Sequence, residues 1–256
     1  MKTTLWVALY DLHFPKVHKP TWKAVMDFIS KNNIGGFLFG GDQFDNEVIS
    51  HHTKGKPLYR PQGAYLKDQT EFQRQILNPL DKALGNAEKV WLRGNHDRFE
   101  DDFIEENPEL DGLVNRVIAL DLAGRGWKVV GLGRSFRKGK LSYIHGEVLT
   151  GIGNQAGMFP SKKAVELYSG NVLAGHTHAA QSYTKISPVN HIQKWMGWIA
   201  PIAGSTNPTY LRNRPTAWLN GFVIIEYHGK AGNFNLYPVV VVEGRFSYGG
   251  KVYSGD

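Results

Sequence analysis

Cysteine is absent from this 256-residue chain. That excludes disulfides, thiolate metal sites and a cysteine nucleophile. No run of about 18 apolar residues occurs, so no membrane-spanning helix is expected. Met1-Lys2-Thr3-Thr4 leads straight into an apolar stretch with Trp6, and no secretory core with a small-residue cleavage site follows. A cytoplasmic location is the simplest expectation. Internal repeats and low-complexity tracts are also missing. The length suits one domain over residues 1–256, large enough to bury a core. Acidic residues are the scarcer charge, 23 against 30 lysines and arginines, for a formal charge of +7. That excess favours polyanionic partners, although no long basic run accompanies it. Small clusters occur at Lys54, Lys56 and Arg60, at Arg134, Arg137, Lys138 and Lys140, and at Arg212 and Arg214. Tyr59, Phe136 and Tyr210 lie near them. Cations mixed with aromatics suit single-stranded nucleic acid, and equally an ordinary solvated loop.

What the chain does have is an ordered series of short polar motifs. They are Asp11-x-His13, Gly41-Asp42-x-x-Asp45, Gly94-Asn95-His96-Asp97, a lone His145, and Gly175-His176-x-His178. Asp-x-His alone is common. A fully specified tetrapeptide such as Gly-Asn-His-Asp has odds of roughly one in 10⁵ per position. Two aspartates, one asparagine and four histidines are the donor types that two divalent cations require. Each motif follows a short apolar run: Leu5–Tyr10, Gly36–Phe39, Lys89–Leu92, Leu141–Ile144 and Asn171–Ala174. Ligand sites in open α/β sheets lie beyond the carboxyl ends of strands. Glycines at 41, 94 and 175 fit tight turns beside a metal.

These motifs, over about residues 5 to 178, resemble the calcineurin-like metallophosphoesterase superfamily. A weaker likeness to phage-type members lies in Trp218 to Phe222, and a phage-encoded protein would work in the host cytoplasm. The resemblance implies a layered α/β/β/α sandwich with a dinuclear metal site at the carboxyl ends of the strands. It implies one metal held by Asp11, His13, Asp42 and His178, and another by Asp42, Asn95, His145 and His176, with Asp42 shared. Imidazole donors favour Mn, Fe, Zn, Ni or Co over Mg or Ca, and Mn²⁺ is the expectation in vitro. By the same resemblance His96 is the general acid, oriented by either Asp97 or Asp45. Asp45 could instead cap the next segment.

The implied chemistry is hydrolysis of phosphate esters by an activated water. Basic balance and long loops lean towards a nucleic-acid or nucleotide phosphodiester. A phosphomonoesterase on phosphoprotein or a small metabolite is the alternative. The protein phosphatases of the superfamily usually carry Glu where Asp97 stands and Arg-Gly after the position of Asp45, where this chain has Asn46-Glu47. The lipid A precursor hydrolases usually place Arg where His96 stands. A binding scaffold with a dead site is a third reading, and such a site is expected to lose ligands. His18, His51, His52, His191 and His228 match no motif, with His51-His52 nearest to the site. Asn207 and Tyr210 are candidates to line the pocket.

Elsewhere the pattern predicts a helix over residues 21–33, with Trp22, Val25, Met26 and Ile29 on one stripe and Gly35-Gly36 ending it. A second helix is expected from Thr70, whose spacing to Gln73 is that of a capping box. Pro79 either kinks it or opens a new helix capped by Asn78. Ser161–Tyr168 is a short helix candidate. Polar stretches 46–67 and 146–160 read as long loops beside the metals, the second rich in glycine at 146, 151, 153 and 157, and 185–215 as a third segment controlling access. From about residue 180 the chain reads as mostly β. Strands at Trp218–Tyr227 and Leu236–Val242 flank a turn at His228–Asn233, and form an edge hairpin or complete a second sheet.

Overall fold

The computed structural model describes residues 3–56, 63–150, 159–189, 194–208, 211 and 214–255. Arg60, Tyr59, His191, Tyr210, Arg212 and the glycines at 151, 153 and 157 lie outside them. Thirteen strands and six α-helices are present among the described residues. The strands are β1 (Thr4–Leu9), β2 (Ile34–Gly40), β3 (Glu88–Leu92), β4 (Trp127–Val130), β5 (Phe136–Lys138), β6 (Leu141–Tyr143), β7 (Asn171–Ala174), β8 (Gln181–Ile186), β9 (Lys194–Ile199), β10 (Gly221–His228), β11 (Asn233–Val240), β12 (Arg245–Tyr248) and β13 (Lys251–Ser254). The helices are α1 (Lys19–Lys31), α2 (Ala64–Phe72), α3 (Asn78–Leu84), α4 (Arg98–Glu106), α5 (Arg116–Ala119) and α6 (Pro160–Tyr168). None is long and apolar enough to cross a membrane.

Two sheets face each other. The first has the order β11-β10-β1-β2-β3-β4, with β1 to β4 parallel and the β10–β11 hairpin antiparallel beside β1. The second has the order β5-β6-β7-β9-β8, with a parallel centre and antiparallel edges. Side-chain alternation along β1 divides the core. Trp6, Ala8 and Tyr10 join Leu38, Leu92, Leu173 and Val223 between the sheets. Val7 and Leu9 point the other way, into a cluster with Trp22, Val25 and Phe28 of α1 and Leu80 of α3. Ala164 of α6 covers Val172 and Ile199 on the outer face of the second sheet. This is the expected α/β/β/α layering. It sets the carboxyl ends of β1, β2, β3, β6 and β7 along one rim.

Helix α1 buries Thr21, Trp22, Ala24, Val25, Phe28 and Ile29, the face its apolar spacing predicts, with Pro20 in its first turn where no amide hydrogen is needed. Removing the Phe28 ring, which is fully buried, would cost about 3–5 kcal/mol. The helix ends at extended Asn32 rather than at Gly35-Gly36. Those glycines lie inside β2, because a Cβ on Gly36 would sit 2.1 Å from the Trp6 indole. The capping box at Thr70 is also corrected. The helix begins at Ala64, and Thr70 lies inside it with its hydroxyl donating to the Leu66 carbonyl. Residues 64–67 of the expected loop are therefore helical. A π-turn over Gln73–Leu77 connects α2 to α3. This wider turn accommodates the ring of Pro79, and Asn78 keeps helical angles instead of capping. The C-terminal hairpin extends the first sheet, not the second. The β12–β13 hairpin lies over α1, where Tyr253 and Phe246 meet Phe28.

Candidate active site

Past the strand ends the connecting loops stay paired. Asp11 N–H donates to Gly41 O at 3.2 Å, His13 N–H to Asp42 O at 2.9 Å, and Gly175 N–H to His145 O at 2.7 Å. The turns are sharp. Asp11, His13, Asp42, His176 and His178 all have positive φ, between 48° and 65°. Residues other than glycine adopt such angles at a cost of about 1–3 kcal/mol each, and these conformations cluster at functional sites. Glycine neighbours permit the close approach. A Cβ on Gly94 would lie 2.2 Å from Asp42 Oδ1, and one on Gly41 2.3 Å from the His145 ring.

The motif residues converge in two groups. Around the first, His13 Nε2 lies 3.3 Å from His178 Nε2, and Asp11 Oδ1 lies 3.4 Å from His178 Nε2 and 4.0 Å from His13 Nε2. Around the second, His145 Nε2 lies 3.0 Å from Asn95 Oδ1 and 3.2 Å from Asp42 Oδ2, with His176 completing the donor group. Each aspartate has one oxygen held by a backbone amide of another loop. His176 N–H donates to Asp11 Oδ2 and His96 N–H to Asp42 Oδ1, both at 2.9 Å. The other oxygen of each faces the imidazoles. Asp42 sits with the His145 group, and the His13 ring is within reach of its charge.

The lone pairs test whether a cation fits. His145 Nδ1 lies 3.0 Å from the Gly40 carbonyl, which accepts its proton. That leaves Nε2 facing two acceptor oxygens, a place that calls for either a proton or a cation. Asp11 Oδ1 is buried with no hydrogen-bond donor. Lone pairs brought together in this way repel one another unless a positive charge lies among them. His145 accordingly rises to about 10: burial opposes the charge, but the Asp42 carboxylate outweighs it. His176 falls to about 4 through burial and the His145 charge, which keeps it a neutral donor. Burial also opposes ionisation of Asp11, yet His178, His145 and His13 hold its carboxyl below the usual range. The residues present fit two cations.

Of the two residues expected to orient His96, Asp45 contacts it and Asp97 contacts the Gly94 turn. His96 Nδ1 lies 2.6 Å from the backbone carbonyl of Asp45, so this nitrogen carries the proton and Nε2 turns towards Asp42 Oδ2, 3.9 Å away. The Asp45 carboxylate lies 3.4 Å from His13 Nδ1, 2.7 Å from Lys16 Nζ and 3.8 Å from His96 Nδ1. Burial opposes its charge, but these partners hold it at about 2. Histidines that bind metals commonly present their other nitrogen to a carboxylate in this way. Asp97 Oδ2 accepts from Gly94 N–H at 2.6 Å and so braces the turn that carries Asn95. Burial and the nearby Asp42 charge raise its carboxyl to about 7.

Other residues enter the site without a motif. The Trp218 indole packs edge-on against the His178 ring, centroids 4.3 Å apart. Thr150 Oγ1 lies 3.4 Å from His176 Nε2. His51 and His52 stack on each other and flank Phe99, which in turn packs on His96. His18 closes onto Thr21 of α1, and His228 ends β10. A lone tryptophan, threonine or phenylalanine gives no signal of such contacts in the sequence.

No protein-family model matches the chain, and no curated protein matches it. Solved structures do. One is Vps29 complexed with Zn²⁺ from Entamoeba histolytica, at 12% identity and TM-score 0.46, covering 99% of this chain and 100% of that one. Another is a dimetal phosphatase from Danio rerio, at 8% identity and TM-score 0.43, covering 87% and 92%. A predicted phosphoesterase from Streptococcus pneumoniae aligns at 12% identity and TM-score 0.35 over 99% of both chains. Phosphoesterases are among these structural neighbours.

Proposed function

We propose that this chain is a two-metal phosphoesterase whose substrates are phosphodiesters of nucleic acids or nucleotides. The observation that carries the reading is the convergence of unshared lone pairs from Asp11, His13 and His178 on one side, and from Asp42, Asn95, His145 and His176 on the other. Asp42 is assigned to both positions, and Mn²⁺ is the ion to supply in vitro. Two divalent cations held there would supply an activated water and neutralise charge on the phosphoryl oxygens.

The chain's own part is to hold the donors, orient them and deliver a proton. The His96 tautomer is fixed by the Asp45 carbonyl, so its Nε2 is the atom free to give a proton to a departing alkoxide. Burial lowers the affinity of His96 for that proton, but the Asp42 and Asp45 charges reverse the balance and raise it above the ordinary histidine value. Asp45 positions His13, and Asp97 keeps the Asn95 turn closed. Sugar alkoxides are poor leaving groups, so an intact proton donor suits a diester of nucleic acid, as does the charge of +7. The complete donor set argues against a scaffold with a dead site.

The test is Mn²⁺-dependent turnover of bis-p-nitrophenyl phosphate against p-nitrophenyl phosphate, by wild type and His145→Ala. Preference for the diester, lost in the variant, is the expected result. Preference for the monoester would move the assignment to a phosphomonoesterase. A metal-free protein inert on both would return it to a scaffold.

A further inference from the structure

A series of hollows adjoins the candidate metal centre at His13 and His178. It begins as a small recess walled by His13, His178, Lys16, Ser205, Pro208 and Trp218. Lys16, Ser205 and Pro208 also wall the next hollow, together with Val17 and Asn207. Val17 then forms part of a third cavity of about 670 Å³, between the start of α1 and the α2 side of the molecule. That volume falls within the roughly 300–1,000 Å³ typical of small-ligand pockets. Shared wall residues make the three hollows neighbours, and Phe14, one residue after His13, lines the last.

The lining of the third cavity divides by chemistry. Its apolar walls include Phe14, Trp22 and Ile76, all belonging to the helix-side core. Lys19, Lys23 and Lys67 supply three ammonium groups. None of these lysines makes an ion pair or hydrogen bond among the described residues. Asp68 adds a half-buried carboxyl, also without a hydrogen-bond partner there. Burial raises its pKa against the opposing charges of Arg116 and Lys67, and the Asp45 charge adds to the rise. Glu71 is occupied by Arg74 and Gln75.

We propose that this cavity is a subsite for a nucleotide unit of a single-stranded substrate, lying along the chain from the phosphodiester held at the metal centre. An apolar wall takes a base, ammonium groups take the backbone phosphates, and an acceptor carboxyl takes an exocyclic amine or a sugar hydroxyl. A small phosphomonoester would reach none of these groups. The inference rests on the phosphodiester reading above and adds to it where the rest of the substrate lies.

The test compares wild type with Lys19→Ala/Lys23→Ala/Lys67→Ala and with Asp68→Asn. The substrates are a short single-stranded oligonucleotide and bis-p-nitrophenyl phosphate. The triple variant should lose tenfold or more in kcat/KM on the oligonucleotide, mostly through KM, with turnover of the small diester unchanged. Fluorescence anisotropy of a labelled oligonucleotide on chelated protein should show at least tenfold weaker binding and a shallower salt dependence, since fewer phosphates are neutralised. Asp68→Asn should shift base or sugar preference and leave salt dependence as it is. Wild-type cleavage of both substrates, with the triple variant equal to it in turnover and in binding, would overturn the subsite alone. A wild type that cleaves the small diester but neither binds nor cleaves the oligonucleotide would overturn the subsite and its choice of substrate class. A wild type inert on both would overturn the phosphodiester reading itself, and the subsite with it.

Discussion

The Nε2 atoms of His13 and His178 stand 3.3 Å apart across 165 residues of sequence. Neutral imidazoles at that distance either share a proton or share a cation. The paired loops that bring them together, and the left-handed backbone of both residues, show a constellation held in place by the fold.

Asp42 is the residue proposed to serve both metals. Asp42→Asn keeps the shape and one acceptor oxygen but removes the charge. Expected are loss of both metals by elemental analysis and abolition of diester turnover. Two metals per chain with wild-type activity would sink the shared-ligand assignment.

His96 binds the Asp45 carbonyl through one nitrogen and leaves the other free. His96→Ala should retain both metals. It should slow cleavage of an alkyl phosphodiester by about 10²–10⁴-fold, the usual worth of general acid catalysis, and that of a nitrophenyl ester far less. An equal loss on both esters would argue that His96 serves binding instead.

Asp97 makes a prediction about pH. Its carboxyl rises from 3.8 to about 7 on folding, so the folded chain holds that proton more tightly than the unfolded one. The group therefore destabilises the fold progressively as pH rises above about 4, fully so above about 7. Asp97→Asn escapes this effect. In chelator, the melting temperature of the variant relative to wild type should climb between pH 4 and 8. A difference that stays flat across that range would contradict a buried, protonated Asp97.

Arg116 and Glu100 form a buried pair, with Arg116 Nε donating to Glu100 Oε1 at 3.1 Å and Tyr65 donating to the same oxygen at 2.9 Å. The guanidinium also lies over the Phe44 and Tyr65 rings. Arg116→Met strands a buried carboxylate, and such losses cost about 3–5 kcal/mol. Denaturant unfolding should register that drop, and adding Glu100→Gln should restore a large part of it. A single variant as stable as wild type would mean that water reaches Glu100.

Apolar runs marked the strands that carry the motifs because those strands are covered on both faces. Asn171–Ala174 was legible residue for residue, and β1, β2, β3 and β6 shifted only at their ends. The half-exposed β8, the polar α4 and the small β12–β13 hairpin bury too little apolar surface to stand out in sequence. The Gly35-Gly36 pair misled because its cause, the Trp6 ring, is a neighbour in space. Donor residues were readable as residue types in order. Their left-handed backbone, the Asp45 carbonyl under His96 and the Trp218 indole against His178 depend on loops meeting in three dimensions.

The motifs end at His178, yet β10 comes from the far end of the chain and pairs along β1, the strand that delivers Asp11 and His13. Phe222, Val223, Ile224 and Ile225 of β10 are all fully buried. A fragment trimmed to the motif-bearing residues would therefore leave β1 as an open sheet edge, with apolar faces bared on both sides. Such an edge is a template for aggregation. The part of the chain that carries no motif is what closes the sheet, so the motif-bearing segment is not separable from it.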